Sequence, residues 1–573
     1  MIIWYAETKS AEQCNLPVIK KKEKLNIHEN QTFHGLYSPI HLPLHEPIYI
    51  YFLMLKNISS VIFFLQFLIT QLSITYGQIL PAEGSRLNYR VVGIAFPEKK
   101  GAAVYKIEIA EGLYNSDDPF KKHILKTLST TKNKLITVVP SFGRQYTWRV
   151  IFSNGKSNIA DQSFHHFSTL NSPLADTANA RLAILKRPAD KYKDACVFLD
   201  GNKALYDMSG MPLWFMPDLG NMKTDKWVLR DLKTTRTGTL TFLSDEQGTD
   251  TINGAYEINF NGEVKWKAPN DGKVSGEKSE SYHHQLLRMT NGHYMTMGTE
   301  NELWNGHTPS ATDSSYKFIP ISRGTPAGAK YQYQKIPFGD VIEYDREGNV
   351  VWSWKSSDYF RNSDLYYYKA DSDEPPMDAH ENAFYFDEKE KNIYVSFRNI
   401  NRIIKIKYPE GKVVAEYGAT YSPDAPQATN DYFHHQHCIR ASHNKYLYLY
   451  DNNYEGTTPK ILKLQEPVTP NGELKKIWEY SCTIEGVRSN NPKNFQFQNG
   501  GNVKELSNGD LFVNISGSYN KLFIVSPDKS IQWAAIPEVR APQNGAWVIS
   551  RQYKAYLITR KDLEKLIWIA EGA

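Results

Sequence analysis

Cysteine is scarce. The 573 residues contain four, at Cys14, Cys196, Cys438 and Cys482, with no CxxC pair and no Cys/His spacing of the zinc type. No disulfide framework or zinc site is therefore implied. Long helical apolar stripes are few. Charge of one sign is missing as well: the net charge is +5, and the Lys and Arg residues are scattered. A nucleic-acid partner requires a basic stripe or a reading motif, and neither occurs. What the chain does hold is aromatic: 13% Phe, Trp and Tyr, including 36 Tyr and 12 Trp, within 41% hydrophobic content. Such side chains suit a pleated, half-buried surface. The length allows two or three domains with large cores, and all-β architecture is expected.

The N-terminus has two layers. Residues 1–53 are polar and irregular; then come Met54-Leu55-Lys56, an apolar run from Val61 to about Ile74 and Tyr76-Gly77-Gln78. A basic start, a short apolar stretch and a small residue before a polar one is the layout of a secretory signal peptide. Gln66 and Gln71 break the run, which is short for a membrane span of ~20 residues. The expectation is a non-native extension over 1–53, a signal peptide over 54–78 and export to the periplasm or beyond, with an N-terminal anchor helix as the other reading. No Cys follows the run, which argues against a lipid anchor.

Residues 79–172 read as a β-sandwich. Pro140-Ser141-Phe142-Gly143-Arg144 makes a turn before the alternating strand Gln145–Val150, with Tyr146, Trp148 and Val150 on the face expected to be buried. The segment resembles the late strands of fibronectin type III or immunoglobulin-like domains.

From about 180 to 573 the chain repeats itself. A polar turn at Gly210, Gly262, Gly348, Gly411, Gly472 and Lys529 is followed by a strand bearing Trp214, Trp266, Trp352, Tyr417, Trp478 and Trp533 respectively. Successive turns lie 52, 86, 63, 61 and 57 residues apart, and a four-stranded propeller blade takes ~40–50 residues. Six copies predict a six-bladed β-propeller, with a long insertion at roughly 300–335.

A second repeat carries the candidate chemistry. His284 and His437 each precede a turn Asn (Asn291, Asn444) by seven residues, and His380 precedes Asp387 by the same interval. The matching place in a fourth copy is Gly501, beside Asn502. Equal phase on innermost strands predicts that the three imidazoles converge near the axis. Arg398 follows His380 on the next strand of the same blade, and its planar guanidinium suits a tetrahedral oxyanion. His283, His434 and His435 are expected as neighbours, and Tyr282, Phe433, Phe495 and Phe497 as aromatics near the channel mouth. From these residues alone, two other readings stand beside anion chemistry: a zinc or copper site on three histidines, and a non-catalytic binding propeller.

Together, the His283-His284 pair, His380-x-Asn382, Ser396-x-Arg398-Asn399 and Gln436-His437 before Asp451-Asn452-Asn453 resemble the bacterial arylsulfate sulfotransferases over about 180–573. The resemblance implies a sulfuryl group carried from an aryl sulfate to a phenol through a sulfurylated histidine in a ping-pong cycle, without a cofactor. His437 matches the nucleophile, His284 and His380 the assisting histidines, and Arg398 and Asn382 groups around the sulfuryl oxygens. His283 is carried along as a substrate-binding neighbour, and Asn502 stands where the family uses a Thr. Some relatives hold a disulfide between the Arg strand and the nucleophile; no Cys pair lies between Arg398 and His437 here. The resemblance also implies a homodimer; the scattered charge and the cleavable leader lead us to expect no nucleic-acid partner and no stable membrane association after signal cleavage. It does not decide which of His284 and His380 is the general acid or base.

Overall fold

The computed structural model describes residues 78–153, 158–160, 163–220, 222–246, 254–304, 319–320, 334–360, 362–365, 378–418, 432–442, 446–453, 458–468, 474–483, 485 and 500–572. The expected extension and the expected signal peptide, but for its last residue Gln78, lie outside these residues, as do Phe495, Phe497 and the turn at Gly472. Chain contacts separate Met1–Thr75 from Tyr76–Ala573, and the described residues all belong to the second unit.

Two sheets form the N-terminal part of that unit. Val91–Ala95 pairs with Lys134–Val138, and a larger sheet runs in the order Ser85–Leu87, His165–Thr169, Gln145–Ser153, Val104–Glu111 and Ile124–Thr130. Tyr146, Trp148 and Val150 are buried as expected, but so are Thr147 and Arg149 on the other face. Arg149 is held there by Glu108 (2.8 Å) and by Asp117 on the short helix Asp117–Lys122. The strand is thus covered on both sides, because a helix and an ion pair close the face that alternation left polar.

Among the described residues the repeats fold into six antiparallel sheets. Within each, hydrogen bonding runs from an inner strand outward, and the predicted turns join the third strand to the fourth. Gly210, Gly262, Gly348, Gly411 and Lys529 all have positive φ, between 70° and 92°, the conformation such hairpins require. The inner strands are Trp227–Thr234, His283–Arg288, Glu381–Asp387, Cys438–Ala441, Asn502–Glu505 and Ala555–Ile558. Each sheet contacts the next in order and the last contacts the first, the closed cycle of a β-propeller. Second strands such as Tyr446–Asp451 are buried almost throughout, whereas the outer strand Lys412–Gly418 alternates exposed and covered residues.

Four of the five recurring tryptophans clasp neighbouring sheets; the Trp266 indole N–H finds no partner among the described residues, and its ring stacks on Tyr294. Trp214 Nε1 donates to Phe260 O (2.7 Å), Trp352 to Pro409 O (2.8 Å), Trp478 to Pro527 O (3.0 Å) and Trp533 to Met208 O (3.1 Å). Every acceptor lies two residues before the turn residue of the following sheet. The Trp533–Met208 bond carries the pattern from the last sheet to the first. The ring is also closed by strand exchange: the inner strand of the first sheet, Ala555–Ile558, comes from the C-terminal end and pairs with Cys196–Leu199, while Ala180–Lys186 joins the last sheet through Ile531–Arg540.

Two expectations are corrected. The insertion at 300–335 begins inside a strand, since Tyr294–Trp304 pairs with Gln334–Tyr344 along its whole length. Tyr282 and Phe433 are core residues, not mouth residues: both are buried, and the Tyr282 hydroxyl bonds that of Tyr344 at 3.0 Å. Cys196, Cys438 and Cys482 are buried free thiols.

Candidate active site

The backbone kinks at or just before the start of three inner strands. His284, His380 and His435 have φ of 60°, 57° and 54°, a region costly for residues other than Gly. These three share one backbone position. His437 lies two residues beyond its kink, in the place that Asn382 takes in the preceding sheet. Equal spacing to a turn therefore did not mean equal backbone position. The imidazoles converge nonetheless, with the His284 ring centroid 5.5 Å from that of His380 and 5.8 Å from that of His437.

They line a cavity of about 420 Å³ together with Arg230, Arg398, Arg551 and Tyr553. Among the described residues its lining contains three arginines and no carboxylate, so the cavity suits an anion. The volume is that of a small-molecule site. Arg398 is placed by its own backbone, whose N–H donates to His380 O (2.9 Å), and Nη1 donates to Asn399 Oδ1 (2.5 Å).

His437 is buried, with both ring nitrogens engaged. Nδ1 is 2.9 Å from Gly501 O and Nε2 is 2.7 Å from the Tyr553 hydroxyl. A carbonyl oxygen only accepts, so the proton sits on Nδ1 and Nε2 carries the lone pair, accepting from Tyr553. Burial, then the nearby Lys554 charge, holds the His437 pKa well below the ordinary value against the opposing Gly501 bond. The ring is neutral and its lone pair faces the cavity.

His284 is likewise pushed well below its ordinary value, by burial first and then by His283, His380, His437 and Lys554. His380 is less enclosed; its backbone N–H donates to Asp378 Oδ1 (2.7 Å), and Nδ1 lies 3.4 Å from Asp378 Oδ2.

Beneath the cavity a charged network holds the C-terminal strand. The Asp200 carboxylate accepts the backbone N–H groups of Tyr553 (2.9 Å), Lys554 (2.7 Å) and Asp231 (3.2 Å). Lys554 Nζ reaches His284 O (2.9 Å) and Asp231 Oδ1 (3.2 Å), and Asp231 Oδ2 accepts from Leu286 N (3.0 Å) and from Lys233. Burial disfavours the Asp231 charge, but Lys233 and Lys554 outweigh it and hold the group down to about 2. Burial first, with the Asp231 charge adding to it, drives Asp200 up to about 7 against its three backbone donors.

The structure brings His284, His380, Arg398 and His437 together and leaves three expected residues behind the wall. Asn382 donates to Gln436 O (2.7 Å), linking one inner strand to the next. Asn502 is spent at both ends of its amide on Ala555, donating to O (2.8 Å) and accepting from N (3.0 Å). His283 lines an adjoining cleft instead. Sequence reasoning missed Tyr553, Arg551 and Arg230. Only the return of the C-terminal strand to the first sheet brings the first two inward, and no local pattern marks them. Among the described residues, no group of three or more His, Cys, Asp or Glu side chains is arranged to hold a metal ion.

The molecule is thus an all-β propeller that holds a buried histidine at an arginine-lined cavity. Residues 334–485, which include His380, Arg398 and His437, match the arylsulfotransferase (ASST) family model. The chain therefore resembles the arylsulfotransferases, and the match supports an enzyme moving sulfuryl groups between aryl compounds. No curated protein matches the chain. Among solved structures it is similar to a protein of unknown function from Bacteroides caccae, at 12% identity over 59% of this chain and 92% of that one, TM-score 0.35. It is also similar to the β-propeller domain of Myceliophteria thermophila Cps50 (Swd1), at 10% identity over 62% and 99%, TM-score 0.26. A third is the periplasmic gluconolactonase PpgL of Pseudomonas aeruginosa, at 9% identity over 80% and 99%, TM-score 0.26. At such scores none of the three bears on function.

Proposed function

We propose that the protein is an arylsulfate sulfotransferase working by a ping-pong cycle through sulfurylated His437. The observation that carries this reading is the His437 ring: Nδ1–H fixed on Gly501 O, Nε2 bare of hydrogen and aimed into the arginine-lined cavity. A neutral imidazole is a competent nucleophile. Once an aryl sulfate displaces the Tyr553 hydroxyl, Nε2 attacks sulfur, the sulfur–aryl oxygen bond breaks and a phenolate leaves. The Nδ1–H bond to Gly501 steadies the positive charge of the sulfurylated ring. Arg398 and Arg551 supply fixed positive charge to the sulfuryl oxygens, a contribution of several kcal/mol in a site shielded from water. The acceptor phenol then reverses the sequence, losing its proton to a neighbouring histidine.

The deciding experiment is mass spectrometry after incubation with nitrophenyl sulfate. The His437 peptide gains one acid-labile SO₃, lost on addition of phenol. Near wild-type turnover by His437→Ala would reject the mechanism. We also propose export, on the strength of the segment 54–78, and a homodimer, on family resemblance. N-terminal sequencing of the mature protein and light scattering test these two readings.

A further inference from the structure

Two imidazoles at the cavity edge share a hydrogen bond whose polarity is fixed from outside. His283 Nε2 lies 2.8 Å from Gly298 O, and that carbonyl can only accept. Burial, against the Gly298 bond, keeps His283 neutral with its pKa down at about 4, so its single N–H is on Nε2. His283 Nδ1 is then a bare acceptor, 2.6 Å from His284 Nδ1. His284 must donate from Nδ1. The two rings stand at 89°, with centroids 4.7 Å apart. The series of donations ends at His284 Nε2, a lone pair on a ring that lines the cavity beside His380, His437 and Tyr553.

We propose that His283 is a positioning residue: by accepting from His284 Nδ1 it holds His284 in one tautomer and so makes His284 Nε2 the base that takes the acceptor's proton. The inference rests on the sulfuryl-transfer reading and divides the labour that reading leaves open. A lone pair facing the cavity repels sulfuryl oxygens, so His284 does not bind them. In the acceptor half-reaction the phenol O–H bond breaks with its proton passing to His284 Nε2. The phenol oxygen bonds to sulfur, and the sulfur–Nε2 bond of His437 breaks, its electron pair returning to His437. His284 becomes an imidazolium still donating from Nδ1 to His283, which spreads the new charge. His283 touches neither substrate nor the reacting atoms.

The two half-reactions separate this role from a structural one. Nitrophenolate leaves without needing a proton, so its burst reports sulfurylation of His437, while transfer to phenols of graded acidity reports the base. In His283→Leu the burst is expected within about twofold of wild type. Transfer to phenol should fall about 100-fold, the lower range for general base catalysis, and the loss should shrink as the acceptor becomes more acidic. His283→Asn, whose Oδ1 keeps an acceptor beside His284, should transfer within about tenfold of wild type. Equal losses in both phases, or wild-type transfer by His283→Leu, would overturn the proposal. Should the leucine variant not fold, the asparagine variant decides alone: transfer below a tenth of wild type with an intact burst overturns it. A wild-type protein with no burst refutes the sulfuryl-transfer reading itself, and this role with it.

Discussion

Gly501→Ala is the substitution that most directly tests how His437, the proposed nucleophile, is held. Gly501 has φ of 92°, and an added Cβ would stand 2.4 Å from two carbons of the Tyr450 ring. Neither side yields easily, because Tyr450 is fully buried. Ordinary carbon contacts need about 3.5 Å, so the overlap is about 1 Å. The left-handed backbone costs a non-glycine residue about 1–2 kcal/mol, and overpacking adds about 1–3 kcal/mol; together the variant should lose about 2–5 kcal/mol of stability. If residue 501 retreats by the overlap, the 2.9 Å bond from His437 Nδ1 stretches beyond hydrogen-bonding range. The ring then loses the partner that fixes its tautomer. A displacement of this size is worth about 100-fold in rate. Thermal melting measures the first effect and the stopped-flow nitrophenolate burst the second. A burst within twofold of wild type, in a variant that melts lower, would show that the Gly501 carbonyl does not anchor the nucleophile.

Other perturbations address different parts of the site. Because burial and Lys554 hold His437 well below its ordinary pKa, the ring stays neutral as pH falls through 6.5 and takes a proton only further down. The acid limb of kcat/KM should therefore lie clearly below pH 6.5, and a limb centred at 6.5 contradicts this electrostatic account. Lys554→Met removes that charge and should move the limb upward; it also leaves Asp231 with one ammonium fewer, at about 3–5 kcal/mol of stability, read by denaturant titration. Arg398→Lys keeps the charge but loses the planar fork, so kcat/KM for nitrophenyl sulfate should drop at least tenfold with melting unchanged. Asn502→Ala cuts both bonds to Ala555 and should destabilise by about 1–3 kcal/mol while folded protein retains its kcat; a selective loss of kcat would instead make Asn502 a substrate contact.

The sheets and their order were legible in the chain's periodicity. Hairpin turns and alternating strands are local, and the turn glycine announces the positive φ; the following tryptophan clasps the next sheet in four copies, but not at Trp266. The same periodicity brought His284, His380, Arg398 and His437 to one end of the ring. Tertiary packing settled what the pattern could not express. Phase relative to a turn does not specify the kink that places His284 and His380 at one backbone position and His437 at another. Asn382 and Asn502 look like oxyanion donors in a motif, yet inner strands packed side by side require amide clips, and both are committed there. Tyr553 and Arg551 lie more than 100 residues beyond His437 in the chain. They meet the cavity only because the last strand completes the first sheet, and the Asp200–Asp231–Lys554 network that fixes it joins residues no local spacing relates. Hydrogen-bond polarity, which leaves the lone pairs of His437 and His284 on Nε2, arises from two backbone carbonyls, and carbonyls carry no signature in a sequence.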